Sequence, residues 1–134
     1  MKNYKYTLLV ALLVAGVPAL AETVVVVSPR ASTGPLTAAQ ASQFFLGKSD
    51  SMTPVDQAAG APVRADFYRK TADLDANQVK AIWSRLIFTG RAAPPKELSS
   101  SADVKKAIAA DPKLIGYIEK SAVDDTVKVV LSLP

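Results

Sequence analysis

Val24-Val25-Val26-Val27 is an unbroken run of four β-branched residues, and its reading decides the fold. A strand with one solvated face alternates apolar and polar positions. A run with no polar interruption belongs in a sheet covered on both faces, as in the mostly parallel sheets of α/β proteins. Ser28-Pro29-Arg30-Ala31-Ser32-Thr33-Gly34-Pro35 then breaks the strand into a loop. Thr37 with Gln40 makes a capping box, and Ala41, Phe44 and Phe45 supply the apolar stripe of a short helix. Gly47 stands where a helix C-terminus favours positive φ.

Further along, Thr53-Pro54-Val55-Asp56 reads as a short extended piece followed by a turn through Gly60. Pro62 suits a first helical position, with Val63 and Phe67 facing inward. Asp75 and Gln78 open the clearest helix, whose Val79, Ile82, Trp83, Leu86 and Ile87 repeat at the spacing of one helical face. It stops at Thr89-Gly90, before Pro94-Pro95. Ser101 caps another helix, with Val104, Ala107 and Ile108 inward, and Asp111-Pro112 ends it. Leu114 to Ile118 reads as a strand, and so does Thr126 to Leu133, with Val127, Val129, Leu131 and Leu133 on one face. The order β-α-β-α-α-α-β-β is that of an α/β layered domain.

The chain of 134 residues holds no cysteine and no histidine. Disulfides, thiol nucleophiles and cysteine zinc sites are thereby excluded, as is the Ser-His-Asp arrangement. The composition is that of a folded domain, and no residue pattern points to an enzyme. Lys2 and Lys5, the apolar run from Leu8 to Gly16, and Ala19-Leu20-Ala21 have the form of a secretory signal peptide cut between Ala21 and Glu22. The run is short of the about 20 residues a spanning helix needs. Removing 21 residues and two lysines leaves 113 residues with 14 basic and 12 acidic side chains. That balance gives no nucleic-acid footprint. The expected form is a single exported domain over residues 22–134, in a periplasm, with no membrane segment after cleavage.

The turn from Val55 to Arg64 is the first candidate site. A strand, a glycine-containing turn and a helix N-terminus together form a general anion-binding design. Arg64 would lie in the first helical turn, where a cation opposes the helix dipole. Either a bound anion or an ion pair with Asp56 or Asp66 would offset that. Arg85, Arg91 and Lys96 trail around Phe88-Thr89-Gly90, with Arg91 and Thr89 as a second candidate cleft mouth and solvated charges as the plainer reading. Trp83, Phe44, Phe45 and Phe67 read as core, and Tyr117 as a core residue with a satisfied hydroxyl. Ser99-Ser100-Ser101 reads as a capping loop, and Asp124-Asp125 as a turn with too few oxygen ligands nearby for a metal.

Taken together, these segments resemble the periplasmic phosphate-binding proteins of ABC importers. The residues carrying the resemblance are Val24 to Val27, Leu36-Thr37 through Phe45-Leu46-Gly47-Lys48, and Val55-Asp56-Gln57 with Gly60 and Arg64-Ala65-Asp66-Phe67-Tyr68. Trp83 to Gly90 and Asp111-Pro112-Lys113-Leu114-Ile115-Gly116-Tyr117-Ile118 continue it, so that it spans roughly residues 23–120. The resemblance implies one periplasmic-binding-protein-like lobe, where full binding proteins clamp the anion between two hinged lobes. In those binders the strand-to-helix turn carries an Arg, an Asp and a Ser-Gly-Thr run. Here Asp56-Gln57-Ala58-Ala59-Gly60-Ala61-Pro62 stands in that place, without the hydroxyls and with one N–H fewer at Pro62.

What the resemblance implies is non-catalytic recognition of a small anion, nominally phosphate, in association with ABC-type uptake. Arg64 is the expected charge partner, with Gly60, Val63 and Gln57 lining the turn. Ser28 and Ser32 join them by the rule that ligands sit at the carboxyl ends of strands. The expected partners are the membrane subunits of an ABC transporter or another envelope protein, with no cofactor and no metal. The alternative is an envelope interaction or sensory subunit that keeps the lobe and has lost the ligand. The two diverge on whether Arg64 faces a polar concavity or pairs with Asp56 on the surface.

Overall fold

The structure, a computed structural model, describes residues 22–134, so the leader expected over residues 1–21 lies outside the described residues. Ten elements follow in the order β1 (Thr23–Val27), α1 (Ala38–Phe45), β2 (Thr53–Gln57), α2 (Pro62–Ala72), α3 (Ala76–Phe88), β3 (Lys96–Leu98), α4 (Ser101–Ala110), β4 (Leu114–Glu119), a 3-10 turn (Lys120–Ala122) and β5 (Lys128–Leu133). The strands form one sheet in the order β3-β2-β4-β1-β5.

The α/β class is as expected, with a difference in strand direction. β2 is parallel to β3 and β4, whereas β1 is antiparallel to both β4 and β5. Four strands therefore point one way and β1 alone points the other. The valine run is nonetheless buried on both faces, because helices cover both. Val25 and Val27 pack with Phe45, Phe67, Trp83 and Tyr117 under α1, α2 and α3. Val24 and Val26 pack with Val55, Val104, Ile108 and Ile118 under α4. Burial predicts a covered sheet but is silent on strand polarity, which the β1 connections decide.

Local signals fixed the helix starts. The capping boxes of Thr37 with Gln40 and of Asp75 with Gln78 are both closed. Ser100, one residue before the expected Ser101, caps α4 by accepting from Asp103 N at 3.1 Å. Gly47 and Gly90 take φ of 72° and 68° at the ends of α1 and α3.

Three expectations are corrected. β3 went unforeseen, since three residues of sequence Lys-Glu-Leu carry no alternation a reader could detect. The single apolar face expected for the last strand is broken by a bulge: Val25 pairs with Leu131 and Val26 with Val129, leaving Val130 as the extra residue. Val130 and Leu133 are buried while Val129 is 38% exposed. On α3, Val79 and Trp83 are buried, but Ile87 is 52% exposed. That helix lies at the margin of its layer, packed mainly on α2 and anchored by Trp83 Nε1 donating to the Phe45 carbonyl at 2.9 Å. In its last turn Leu86 still packs on the core, while Ile87 and Phe88 face outward.

Gly116, in the middle of β4, is where the sheet and α4 approach most closely. A Cβ there would lie 2.7 Å from Val104 Cγ1 and 3.1 Å from Val55 Cγ2. Gly116→Ala is therefore expected to destabilise by about 1–3 kcal/mol through overpacking. Urea denaturation measures it, and an unchanged midpoint would contradict the close contact.

Candidate functional site

β2, β3 and β4 all end at the same edge of the sheet, and α2 and α4 begin there. Asp56, next to last in β2, points into the layer of α1 to α3 and is 2% exposed. Its carboxylate accepts from the Tyr68 hydroxyl at 2.5 Å, from the Tyr117 hydroxyl, and from Gln57 N at 2.8 Å. Arg64 Nε lies 3.4 Å from Asp56 Oδ1. The guanidinium carbon sits 5.1 Å from the centre of the Tyr68 ring. Both phenols ionise far above their ordinary range, first because burial penalises the phenolate and next because Asp56 is negative beside them. They remain donors to the carboxylate at any pH near neutrality.

Arg64 thus pairs with Asp56, but in the interior and not on the surface, since its side chain is only 11% exposed. The ion pair is close in distance without being a hydrogen bond. Nε is buried and has no hydrogen-bond partner among the described residues. Arg64 lies in the first turn of α2, which differs from α1, α3 and α4 in having no side-chain cap. Pro62 at the first helical position contributes no N–H. The approach is closed by a turn in which Ala61 N donates to the Ala58 carbonyl at 2.9 Å. Gly60 is exposed at its apex, with nothing within 4 Å of where its Cβ would be.

Gln57 faces the other layer. Its Nε2 donates to the Tyr117 carbonyl at 2.9 Å and to Ser101 Oγ at 3.1 Å. Ser101 in turn donates to the Glu119 carboxylate at the end of β4. Ser101 and Glu119 therefore belong to this edge. From the sequence Ser101 reads only as a helix cap, because β3, the strand that delivers it, goes unseen, and Glu119 is not singled out. Val63 is buried in the core behind the turn.

Arg64, Gly60, Val63 and Gln57 all lie along the β2–α2 connection, but their side chains diverge. Arg64 points towards Asp56, Gln57 towards α4 and Val63 into the core, with Gly60 at the exposed apex, and Ser28 and Ser32 lie apart from all of them. Because β1 runs against the others, Val27 pairs with Ile115 near the start of β4 while Thr23 pairs with Glu119 at its end. Ser28 and Ser32 follow Val27, at the opposite edge of the sheet. Ser28 is buried and its Oγ accepts from Arg30 N at 3.2 Å, while Ser32 is exposed. The rule about carboxyl ends of strands gathers a site only from strands sharing a direction. Arg91 also lies away from Arg64, beside Lys48 and Thr53 near the start of β2. Thr89 donates to the Arg85 and Leu86 carbonyls, which closes the C-terminus of α3.

A groove of about 560 Å³ lies between α2 and the beginning of α3. Val63, Ala65, Leu74 and Ala76 form its apolar lining, and Asp66, Asp73, Asp75 and Glu119 stand in its wall with Arg69. Partial burial raises the Asp66 carboxyl, but donors from Thr23, Lys70 and Arg69 outweigh it and hold the group below the usual aspartate value. Among the described residues no cluster could hold a metal ion, and no helix is long and apolar enough to cross a membrane.

No family model matches the chain, and no curated protein matches it either. Several solved structures are similar in shape, three of them as follows. A phosphate ABC transporter substrate-binding protein from Clostridium perfringens, solved with phosphate bound, aligns at TM-score 0.67 and 19% identity over 83% of this chain and 45% of its own. An ABC-type phosphate transport receptor from Vibrio cholerae aligns at TM-score 0.64 and 17% identity, over 83% of this chain and 46% of its own. PstS from Borrelia burgdorferi aligns at TM-score 0.60 and 10% identity, over 82% and 47%. This chain spans slightly less than half the length of each. At such identities the likeness establishes the fold, an α/β lobe of the periplasmic-binding-protein kind.

Proposed function

We propose that the chain is an exported, non-catalytic, solute-binding-like lobe that recognises a small anion, phosphate first, in association with ABC-type uptake in a periplasm. The observation that carries this reading is the first turn of α2. Among the described residues that α-helix alone lacks a side-chain cap, and the Arg64 guanidinium in the same turn makes no hydrogen bond to the described protein groups. The Val63 N–H, the positive end of the helix dipole and a guanidinium whose donors make no hydrogen bond to described residues favour an oxyanion at the Gly60 turn. The shape shared with a lobe of phosphate-transport proteins supports the same class of ligand. Asp56 cancels much of the Arg64 charge, and Ala61 and Val63 offer no hydroxyl, so affinity below that of a complete two-lobed site is expected. The membrane subunits of an importer, or another envelope protein, are the fitting partners.

A second reading, an envelope interaction subunit without a ligand, is favoured by one observation: Phe88 is 92% exposed at the end of α3. A thermal-shift titration of the purified chain with phosphate, sulfate and chloride at matched ionic strength separates the two. A ligand at about 100 times its dissociation constant adds about 2.7 kcal/mol, which is several degrees for a domain of this size. The binding reading expects such a rise with phosphate and a smaller one in Arg64→Lys, which keeps the charge and loses the planar fork. Equal responses to all three salts would reject it.

A further inference from the structure

The two ends of α3 are complementary to one another. At its C-terminal end Ile87 and Phe88 are 52% and 92% exposed, and the neighbouring Arg85 and Arg91 are exposed cations. Leaving a whole phenyl ring in water forgoes the burial of about 150–250 Å² that such rings usually reach. At the N-terminal end of the same helix opens the 560 Å³ groove, apolar at Val63, Ala65, Leu74 and Ala76. Its wall holds Asp66 paired with Arg69, and three further carboxylates, Asp73 and Asp75 at the α2–α3 junction and Glu119. None of these three makes a salt bridge with another described residue. An apolar knob with Arg85 three residues before it on the same helix thus has its counterpart in an apolar hollow edged mostly by carboxylates. The helix holds them apart: thirteen residues at about 1.5 Å each is about 20 Å, so no chain can fill its own groove.

We propose that the groove between α2 and α3 receives Phe88 of a second copy of this chain, with Arg85 of the incoming copy set against Asp73, Asp75 and Glu119. The surfaces joined are different, so the contact is head-to-tail, and each added copy leaves one knob and one groove free. The contact is separate from the Asp56–Arg64 pair and stands whether or not the Gly60 turn binds an anion. One ring and a few screened charges make a small interface, which puts the association at high concentration and makes it sensitive to salt.

Sedimentation velocity of the purified chain, over about 0.01–1 mM, tests this. The sedimentation coefficient is expected to rise with concentration and to rise less at high salt. Phe88→Ala, at an exposed position that leaves the core intact, and Ala65→Trp, which fills the groove from its exposed lining, should each remain monomeric when alone. Mixed in equal amounts they should form a dimer that grows no further, since one supplies only the groove and the other only the ring. Ala76→Trp, in the same groove, replaces Ala65→Trp if that variant fails to fold. A wild-type chain monomeric throughout would overturn the proposal. So would association of Phe88→Ala at the wild-type level, a mixture that stays monomeric, or dimerisation of Ala65→Trp alone, which would place Phe88 against Phe88.

Discussion

Replacing Asp56 with alanine is expected to destabilise the fold by about 3–5 kcal/mol, the usual result of breaking a buried ion pair from one side. The carboxylate is 2% exposed and is the shared acceptor for the hydroxyls of Tyr68 and Tyr117 and for Gln57 N. Without it the two hydroxyls lose their acceptor in the interior, and Arg64 is left as a buried cation with no counter-charge. Against a total stability of about 5–15 kcal/mol such a loss is severe. The damage comes from the stranded charge more than from lost attraction, so the double variant Asp56→Ala/Arg64→Met should recover part of it. Asp56→Asn, which keeps an acceptor for the tyrosines, should cost less than alanine. Chemical denaturation of the four proteins settles the matter. A single Asp56→Ala variant within about 1 kcal/mol of wild type, or a double variant no better than the single, would mean the pair is not the keystone described.

The pairing also explains how much of the site was legible in the sequence. That Arg64, in a first helical turn, needs a partner follows from the helix dipole alone, and Asp56 and Asp66 were the two candidates within reach. The choice of Asp56 is tertiary. β2 aims Asp56 into the layer where Tyr68 and Tyr117 converge, whereas Asp66 is taken by Thr23, Arg69 and Lys70. Tyr117 was readable as a core tyrosine with a satisfied hydroxyl, but its partner lies 61 residues away, beyond the reach of periodicity. The same division holds for the fold. Capping boxes, the valine run and the stop at Gly90 are local and were legible. The direction of β1, the bulge at Val130 and the three-residue β3 depend on neighbours in the sheet. The misplacement of Ser28 and Ser32 follows from the first of these, because inverting one strand sends its loop to the far edge.

The tyrosines that hold Asp56 also set a limit on the alkaline side. Burial, and after it the negative charge of Asp56, pushes the Tyr68 and Tyr117 phenols far above their ordinary value of about 10. Below about pH 10 both are neutral in the folded and unfolded chain, so their contribution is fully present. Above it the unfolded chain releases two protons that the folded chain keeps. The unfolded state then binds fewer protons, and stability falls as pH rises, by about 1.4 kcal/mol per pH unit for each phenol. The pair together should take away about 2.7 kcal/mol per unit, enough to unfold a marginal domain within two or three units. Tyr68 and Tyr117 are the only tyrosines among residues 22–134, so the tyrosinate absorbance of a protein of those residues reports on them alone. It should stay flat past pH 10 and then rise in one step together with loss of helical circular dichroism. Tyr68→Phe should lose about half of the slope while keeping the Asp56–Arg64 pair. Smooth titration of both phenols near pH 10 in a chain that remains folded would show that they are open to water, and the account of Asp56 as a buried acceptor would fall with them.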